Sequence, residues 1–283
     1  MAKQLLGKEV TQALNEKIRS QVTFLNEQGI TPKVAFLRVG ERPDDLSYER
    51  GASKRCETLG VEYEKYVLPV DCTQEELMNT VNQLNEDSSV HGILMFRPLP
   101  KHLNENEAVE AMKPEKDIDG ITAGSLAGVF MGTKQGFAPC TAQACMEILD
   151  YYGIDCSGKK AVVVGRSLVV GKPAAIMLIG KNATVTVCHT KTEDMPSVVK
   201  EADIVIVAAG RPGVIDGTYL SSGQVVIDVG INVNEDGKLC GDVLYEDAEQ
   251  IVDMITPVPG GVGSVTTSVL VGHVVEAALR SLK

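Results

Sequence analysis

The run Val162-Val163-Val164-Gly165-Arg166-Ser167-Leu168-Val169-Val170-Gly171-Lys172-Pro173 joins an apolar β-branched stretch to a glycine turn. A second glycine then opens a segment, Ala174 to Gly180, that reads as helix. A strand that turns on glycine into a helix N-terminus can hold a dinucleotide pyrophosphate. Its backbone N–H groups and the positive end of the helix dipole face the anion. Pro173 fits the first helical turn, where its missing N–H costs nothing. The spacing is not G-x-G-x-x-G, because the second glycine comes only at Gly171. A plain strand-to-helix connection is the alternative reading. The next apolar run ends Val187-Cys188-His189-Thr190-Lys191, with no carboxylate before Glu193. Asp or Glu at that point would bind the ribose 2′-OH of NAD. A hydroxyl, a histidine and a lysine, with Arg166 in the turn, accommodate a 2′-phosphate instead, so NADP is expected over NAD. A third group, Pro257-Val258-Pro259-Gly260-Gly261-Val262-Gly263, is too rich in proline and glycine for a regular element. Its glycines allow close backbone approach to a flat ligand, or simply make a turn.

The elements that must position these groups alternate as strand and helix. Val10, Leu14, Ile18, Val22 and Leu25 recur at helical spacing. Lys33 to Gly40 reads as a buried strand, Ser47 to Leu59 as a helix stopped by Gly60, and Glu62 to Val70 as a strand. Thr73 to Leu84 is a helix opened by a capping box, with Glu76 three residues after Thr73. Val90 to Phe96 is a third strand. A second series follows. Cys145 to Tyr151 ends a connecting helix, and Lys160–Val164, Thr184–Cys188, Asp203–Ala209 and Val225–Val229 are strands. Val265 to Leu282 is an apolar C-terminal helix. Alternation of this kind predicts an α/β fold with parallel sheets covered on both faces. The second series has the spacing of a Rossmann-like nucleotide-binding domain. A boundary is expected between Thr133 and Thr141, where glycine, lysine and proline cluster.

Composition removes several classes. With 283 residues the chain can bury a core in one large or two modest domains. A net charge of −11 argues against nucleic acid as the main partner. No run approaches a membrane span and the first residues lack the apolar stretch of a signal peptide, so no membrane partner is expected. The seven cysteines are an odd number and show no metal-ligand spacing, which points to reduced thiols in the cytoplasm and no metal site.

Taken together, the glycine turn, Asp228-Val229-Gly230-Ile231-Asn232 and Pro257 to Gly263 resemble the methylenetetrahydrofolate dehydrogenase/cyclohydrolase family. Lys116-Asp117-Ile118-Asp119-Gly120 looks like its K-D-V-D-G, Pro98-Leu99-Pro100 like the end of its Q-L-P-L-P, and Ala138-Pro139-Cys140-Thr141 like its P-C-T-P. The likeness runs through the whole chain in order. It implies two α/β domains with a folate cleft between them, residues 1–139 with 268–283 forming the folate domain and 140–267 the NADP domain. It also implies a homodimer, a tetrahydrofolate substrate and a C-terminal helix packed back on the N-terminal domain. By position, the resemblance gives Tyr48 and Asp119 to catalysis and folate binding, and Pro259, Gly260 and Gly261 to the substrate. Gly165, Arg166, Ser167, Thr190 and Ile231 fall where the family contacts NADP.

The departures carry their own expectation. The family places a lysine four residues after the tyrosine as the acid/base of the hydrolase step, and here that position is Ala52. Lys54 points about 120° away on a helix, and Arg55 stays charged and lies roughly 10 Å further along. The glutamine that supports the family's lysine is Phe96 here. Hydride transfer from 5,10-methylenetetrahydrofolate needs positioning but no proton transfer, whereas hydrolysis of the methenyl product is acid–base work. The expectation is therefore a dehydrogenase that has lost cyclohydrolase activity. The alternatives are the ordinary bifunctional enzyme, also making 10-formyltetrahydrofolate, and a non-catalytic dinucleotide-binding protein.

Overall fold

Every residue from Val34 to Val39 is buried, as befits a strand with neighbours on both edges and layers on both faces. In the computed structural model, which describes residues 1–282, this strand is the centre of a three-stranded parallel sheet. The chain opens with β1 (Lys3–Gln4) and α1 (Gly7–Glu27), and the central strand is β2 (Lys33–Val39). Then come α2 (Pro43–Leu59), β3 (Glu62–Leu68), α3 (Gln74–Glu86) and β4 (Gly92–Met95). The order is β3-β2-β4, with Lys33 opposite Glu62 and Val34 opposite Gly92. Alternate residues Ala35, Leu37, Val39, Ile93 and Met95 share one buried cluster with Leu77, Val81 and Leu84 of α3. The capping box forms as the sequence predicts, Thr73 accepting from the Glu76 N–H while Glu76 accepts from the Thr73 N–H. Helix α2 starts at Pro43 rather than Ser47, because Pro43, Asp44 and Asp45 all suit a first turn. Helices α4 (Glu105–Ala111) and α5 (Ala123–Met131) are capped by Asn104 and Thr122. Both escape a periodicity argument because they are so short.

The remaining elements are α6 (Cys140–Tyr151), β5 (Lys160–Val164), α7 (Gly171–Gly180), β6 (Thr184–Cys188), α8 (Met195–Lys200) and β7 (Ile204–Val207). After them come β8 (Val225–Asp228), β9 (Asn232–Val233), β10 (Leu239–Cys240), α9 (Tyr245–Ala248), β11 (Met254–Ile255) and α10 (Val262–Arg280). A six-stranded parallel sheet runs β1-β11-β8-β7-β5-β6. From β5 the chain adds β6 on one side, then returns to add β7 on the other. That reversal is the switch point of a Rossmann-like, doubly wound sheet. The fold is thus α/β in two units, as the sequence predicts.

Residues 1–12 and 141–266 form one unit, and residues 13–140 with those from Thr267 onward form the other. The sequence reading gives residues 1–139 to a single domain. The first twelve residues belong instead with the six-stranded sheet, since Lys3 pairs opposite Met254 and Gln4 opposite Ile255. The Ala2 N–H donates to Glu249 O at 2.7 Å and the Leu5 N–H to Ile255 O at 2.9 Å. Backbone bonds fix this strand, and they leave no pattern in side-chain type. A further correction concerns α10, a 19-residue helix apolar enough by composition to cross a membrane. In the fold 56% of that stretch is buried, with Ser268 and His273 bonded to Asn15 and Ile118 of the three-stranded unit.

Candidate active site

Lys116, Asp117, Ile118 and Gly120 are each locked in place within the three-stranded unit. Lys116 Nζ donates to the carbonyls of Leu84 and Asp87, at 2.7 and 2.6 Å. The buried Asp117 carboxylate accepts the N–H groups of Ile121 and Thr122. The carbonyl of buried Ile118 accepts from His273 Nδ1 at 2.8 Å and from Cys140 Sγ at 3.2 Å. Gly120 has φ +69°, and a Cβ there would meet the Ala138–Pro139 backbone at 2.5 Å. What remains free to act is Asp119, and its carboxyl faces a cavity.

That cavity, of about 380 Å³, is lined by Arg42, Asp45, Tyr48, Phe96, Arg97 and Asp119, with Asp44, Leu94 and Met95. Tyr48 and Asp119, predicted together, share it. Burial first, then the Asp117 charge, pushes the Asp119 carboxyl up to about 6, while the Cys140 thiol and Arg97 pull the other way. Burial, reinforced by the Asp119 charge, raises the Tyr48 phenol well above 10, so it stays protonated. Phe96 fills the place expected of glutamine, edge-on to Tyr48 with centroids 6.1 Å apart and edge-on to Phe36. Ala52 is wholly buried on the Tyr48 face, and Lys54 is exposed.

Within the six-stranded unit, Gly165 follows β5 at the switch point with φ +128°, and a Cβ there would collide with Ala208 O at the end of β7. A Cβ on Gly171 would collide with the Gly165 carbonyl. The two glycines therefore let α7 start against the strand end, which is the packing a phosphate-binding turn needs. Ser167 Oγ accepts from the Val170 N–H, and both Arg166 and Ser167 are exposed. Thr190, also exposed, follows β6, whose Cys188 carbonyl holds the Gly165 N–H at 2.9 Å. Ile231 is 65% exposed and lies where a Cβ on Gly263 would meet it at 3.2 Å. That contact joins the Asp228–Asn232 segment to the Pro259-Gly260-Gly261 loop. The Gly260 carbonyl accepts the Gly7 N–H, and Ser264 Oγ donates to Gly261 O. No cluster of metal-ligating side chains occurs among the described residues.

Sequence reasoning misses the knot beneath this surface. Asp228 accepts the N–H groups of Gly230, Asp242 and Val243 at 2.9–3.0 Å. Asp242, with no exposed surface, accepts those of Ala209 and Gly210 and the Asn232 amide. Burial pushes the Asp228 carboxyl up to about 6, against the pull of its three N–H donors. Two carboxylates thus pin the loops after β7 and β8. Their spacing of fourteen residues is no local signal; the only hint lies in Gly230 and Gly241, where a Cβ would collide with the opposite carboxylate.

The profile of the tetrahydrofolate dehydrogenase/cyclohydrolase catalytic domain matches residues 5–119, and that of the family's NAD(P)-binding domain residues 139–282. A bifunctional FolD protein of Carboxydothermus hydrogenoformans is 52% identical, covering 98% of this chain and 97% of the relative. The crystal structure of the bifunctional FolD dehydrogenase/cyclohydrolase of Campylobacter jejuni superposes with a TM-score of 0.96 at 38% identity, covering 99% of this chain and 100% of that one. The Trypanosoma brucei dehydrogenase-cyclohydrolase, complexed with NADP and an inhibitor, gives 0.92 at 35% identity, covering 100% and 99%.

Proposed function

The chain belongs to the tetrahydrofolate dehydrogenase/cyclohydrolase family and is an NADP-dependent methylenetetrahydrofolate dehydrogenase, and from that premise we propose that it also hydrolyses its own product. In this reading 5,10-methylenetetrahydrofolate is oxidised to the methenyl form and water then opens that form to 10-formyltetrahydrofolate. The observation behind it is the cavity that Tyr48 and Asp119 share, in a chain about half identical to a protein called bifunctional. Asp119 would accept the pterin's amino and ring N–H groups, and the protonated Tyr48 would stack on or hydrogen-bond the folate.

The Gly165–Gly171 turn fits a dinucleotide, because the two glycines bring the start of α7 against the end of β5, where the helix dipole favours an anion. Gly165, Arg166, Ser167, Thr190 and Ile231 would hold NADP, which supplies the hydride acceptor. The chain's own work in that step is orientation: the folate nitrogens stabilise the developing cation and no proton moves. Pro259, Gly260 and Gly261 would line the reacting rings. Seven free cysteines suit a reducing cytoplasm, and a homodimer goes with the family reading. Size-exclusion chromatography with light scattering checks the dimer.

The names of the relatives favour the bifunctional enzyme over the loss of hydrolysis expected from the sequence. One observation supports that second reading: Ala52 and Phe96 stand where the acid/base lysine and its glutamine are expected, and both are packed apolar side chains. Purified protein given methylenetetrahydrofolate and NADP separates the two. If it is bifunctional, methenyl absorbance decays faster than in enzyme-free buffer while NADPH accumulates. Decay at the buffer rate leaves the dehydrogenase alone.

A further inference from the structure

Hydrolysis without a lysine at position 52 needs another proton carrier, and the cavity holds one. Asp45 lies three residues before Tyr48 on α2, so it occupies the same helix face. Ala52 is on that face too, one turn beyond the tyrosine on the other side. The Asp45 side chain is 8% exposed and lines the cavity. Among the described residues, no N–H or O–H group hydrogen-bonds its carboxylate. Its ion-pair partner is Arg42, at 3.9 Å, and that guanidinium is itself anchored on the Pro98 carbonyl at 2.7 Å. A nearly buried carboxylate without a hydrogen-bond donor retains lone pairs for a water molecule.

The other groups around the cavity are less suited to the task, Asp44 being exposed to solvent where Asp45 is buried. Arg42 and Arg97 present guanidinium groups, which donate hydrogen bonds and accept none. The Tyr48 phenol is held protonated by burial. Asp119 is taken up by the pterin in the reading above. Burial raises the Asp45 carboxyl from its ordinary value, with Arg42 opposing, Asp44 adding to the rise and Arg38 opposing it.

We propose that Asp45 is the general base of the hydrolysis step, a deepening that rests on the bifunctional reading above. The Asp45 carboxylate takes one proton from water as the water oxygen bonds to the bridging carbon of the methenyl cation. The carbon–N5 bond then breaks, N5 receives that proton from the Asp45 carboxylic acid, and the hydroxyl proton leaves to solvent as the formyl C=O forms on N10. The sum is methenyl cation plus water giving 10-formyltetrahydrofolate and one released proton, with no oxidant or reductant.

The test follows NADPH formation and methenyl decay together, at saturating substrates, in the unmodified enzyme, Asp45→Asn and Asp45→Glu. Asp45→Asn should lower the ratio of hydrolysis to hydride transfer by about 10²–10⁴-fold, and Asp45→Glu should restore part of it. At saturating folate, where the effect of Asp119 on binding drops out, the unmodified enzyme's hydrolysis should rise with pH along an acid limb that hydride transfer lacks. The charged groups facing Asp45 that set this limb are Arg38 on β2, Arg42 and Asp44 beside it on α2, and Arg97 and Asp119 across the cavity. An unchanged ratio in Asp45→Asn overturns the proposal and leaves the bifunctional reading standing. Methenyl decay at the buffer rate in the unmodified enzyme overturns both. If Asp45→Asn loses both activities, the pH profiles decide: a separate acid limb for hydrolysis supports Asp45, and parallel profiles overturn it.

Discussion

At the scale of single residues, Asp119 sets a pH dependence. In the proposed site only its ionised form would accept both pterin N–H groups, and its carboxyl titrates at about 6. The dehydrogenase kcat/KM for folate should therefore fall about tenfold per unit as pH drops below that value, and level off above it. Asp119→Ala should cost about 10–100-fold in the same parameter at pH 8, while NADP binding measured by calorimetry is unaffected. Equal loss of both would mark Asp119 as a folding residue. Arg166 makes a separate expectation: exposed in the glycine turn, it can bond the 2′-phosphate, so Arg166→Ala should narrow the preference for NADP over NAD by about tenfold or more. Higher kcat/KM with NAD in the unmodified enzyme overturns this view of the pocket. Residues of this kind were unequally legible. The glycine turn announces itself because composition and position coincide. Tyr48 and Asp119 emerge only through the family resemblance. Asp45 and Asp242 were invisible, since what distinguishes them is burial and partners distant in sequence.

At the scale of elements, the approach of α7 to β5 has no slack. A methyl group on Gly171 would overlap the Gly165 carbonyl, so the helix start must move. Gly171→Ala should raise the NADP dissociation constant by about tenfold or more, because the turn proposed to hold the pyrophosphate is displaced. Folate binding to the three-stranded unit should change far less. A cofactor affinity equal to that of the unmodified protein would show that the close approach is dispensable. The elements that sequence patterning found are those with enough residues for a pattern to show: α1, α3, β2 and the four strands β5 to β8 of the six-stranded sheet. The ones it missed, α4, α5 and β1, are short. Their caps and backbone partners define them instead, and the Asn104 and Thr122 caps are recognisable only once the helix is known.

At the scale of the whole molecule, two buried carboxyls with the same pKa should have opposite effects on stability. Asp119 and Asp228 are both raised from 3.8 to about 6. A carboxyl raised in the folded state binds its proton more tightly there than in the unfolded chain. Its contribution is therefore full below about pH 3.8 and is lost as pH rises through about 6. At pH 8 each ionised group thus costs up to about 3 kcal/mol relative to its protonated form. The surroundings decide whether an amide can relieve that cost. The Asp119 carboxyl has no N–H donor among the described residues, so Asp119→Asn removes a charge and disturbs little. Its melting temperature should rise by roughly a few degrees at pH 8, with a smaller gain at pH 4.5. Both Asp228 oxygens accept backbone N–H groups, Gly230 and Asp242 on one and Val243 on the other. An amide there must point an NH₂ at an N–H donor, which leaves both buried donors unpaired at about 1–3 kcal/mol each and so outweighs the relief of the charge. Asp228→Asn should accordingly lower the melting temperature at pH 8 and loosen the loops around Ile231. Thermal scans of both variants at the two pH values check the pair. A gain at pH 8 from both substitutions would mean that the Asp228 hydrogen bonds contribute little to holding those loops. A loss from both would mean that Asp119 is structurally required, and that its charge is not a cost carried for binding the substrate.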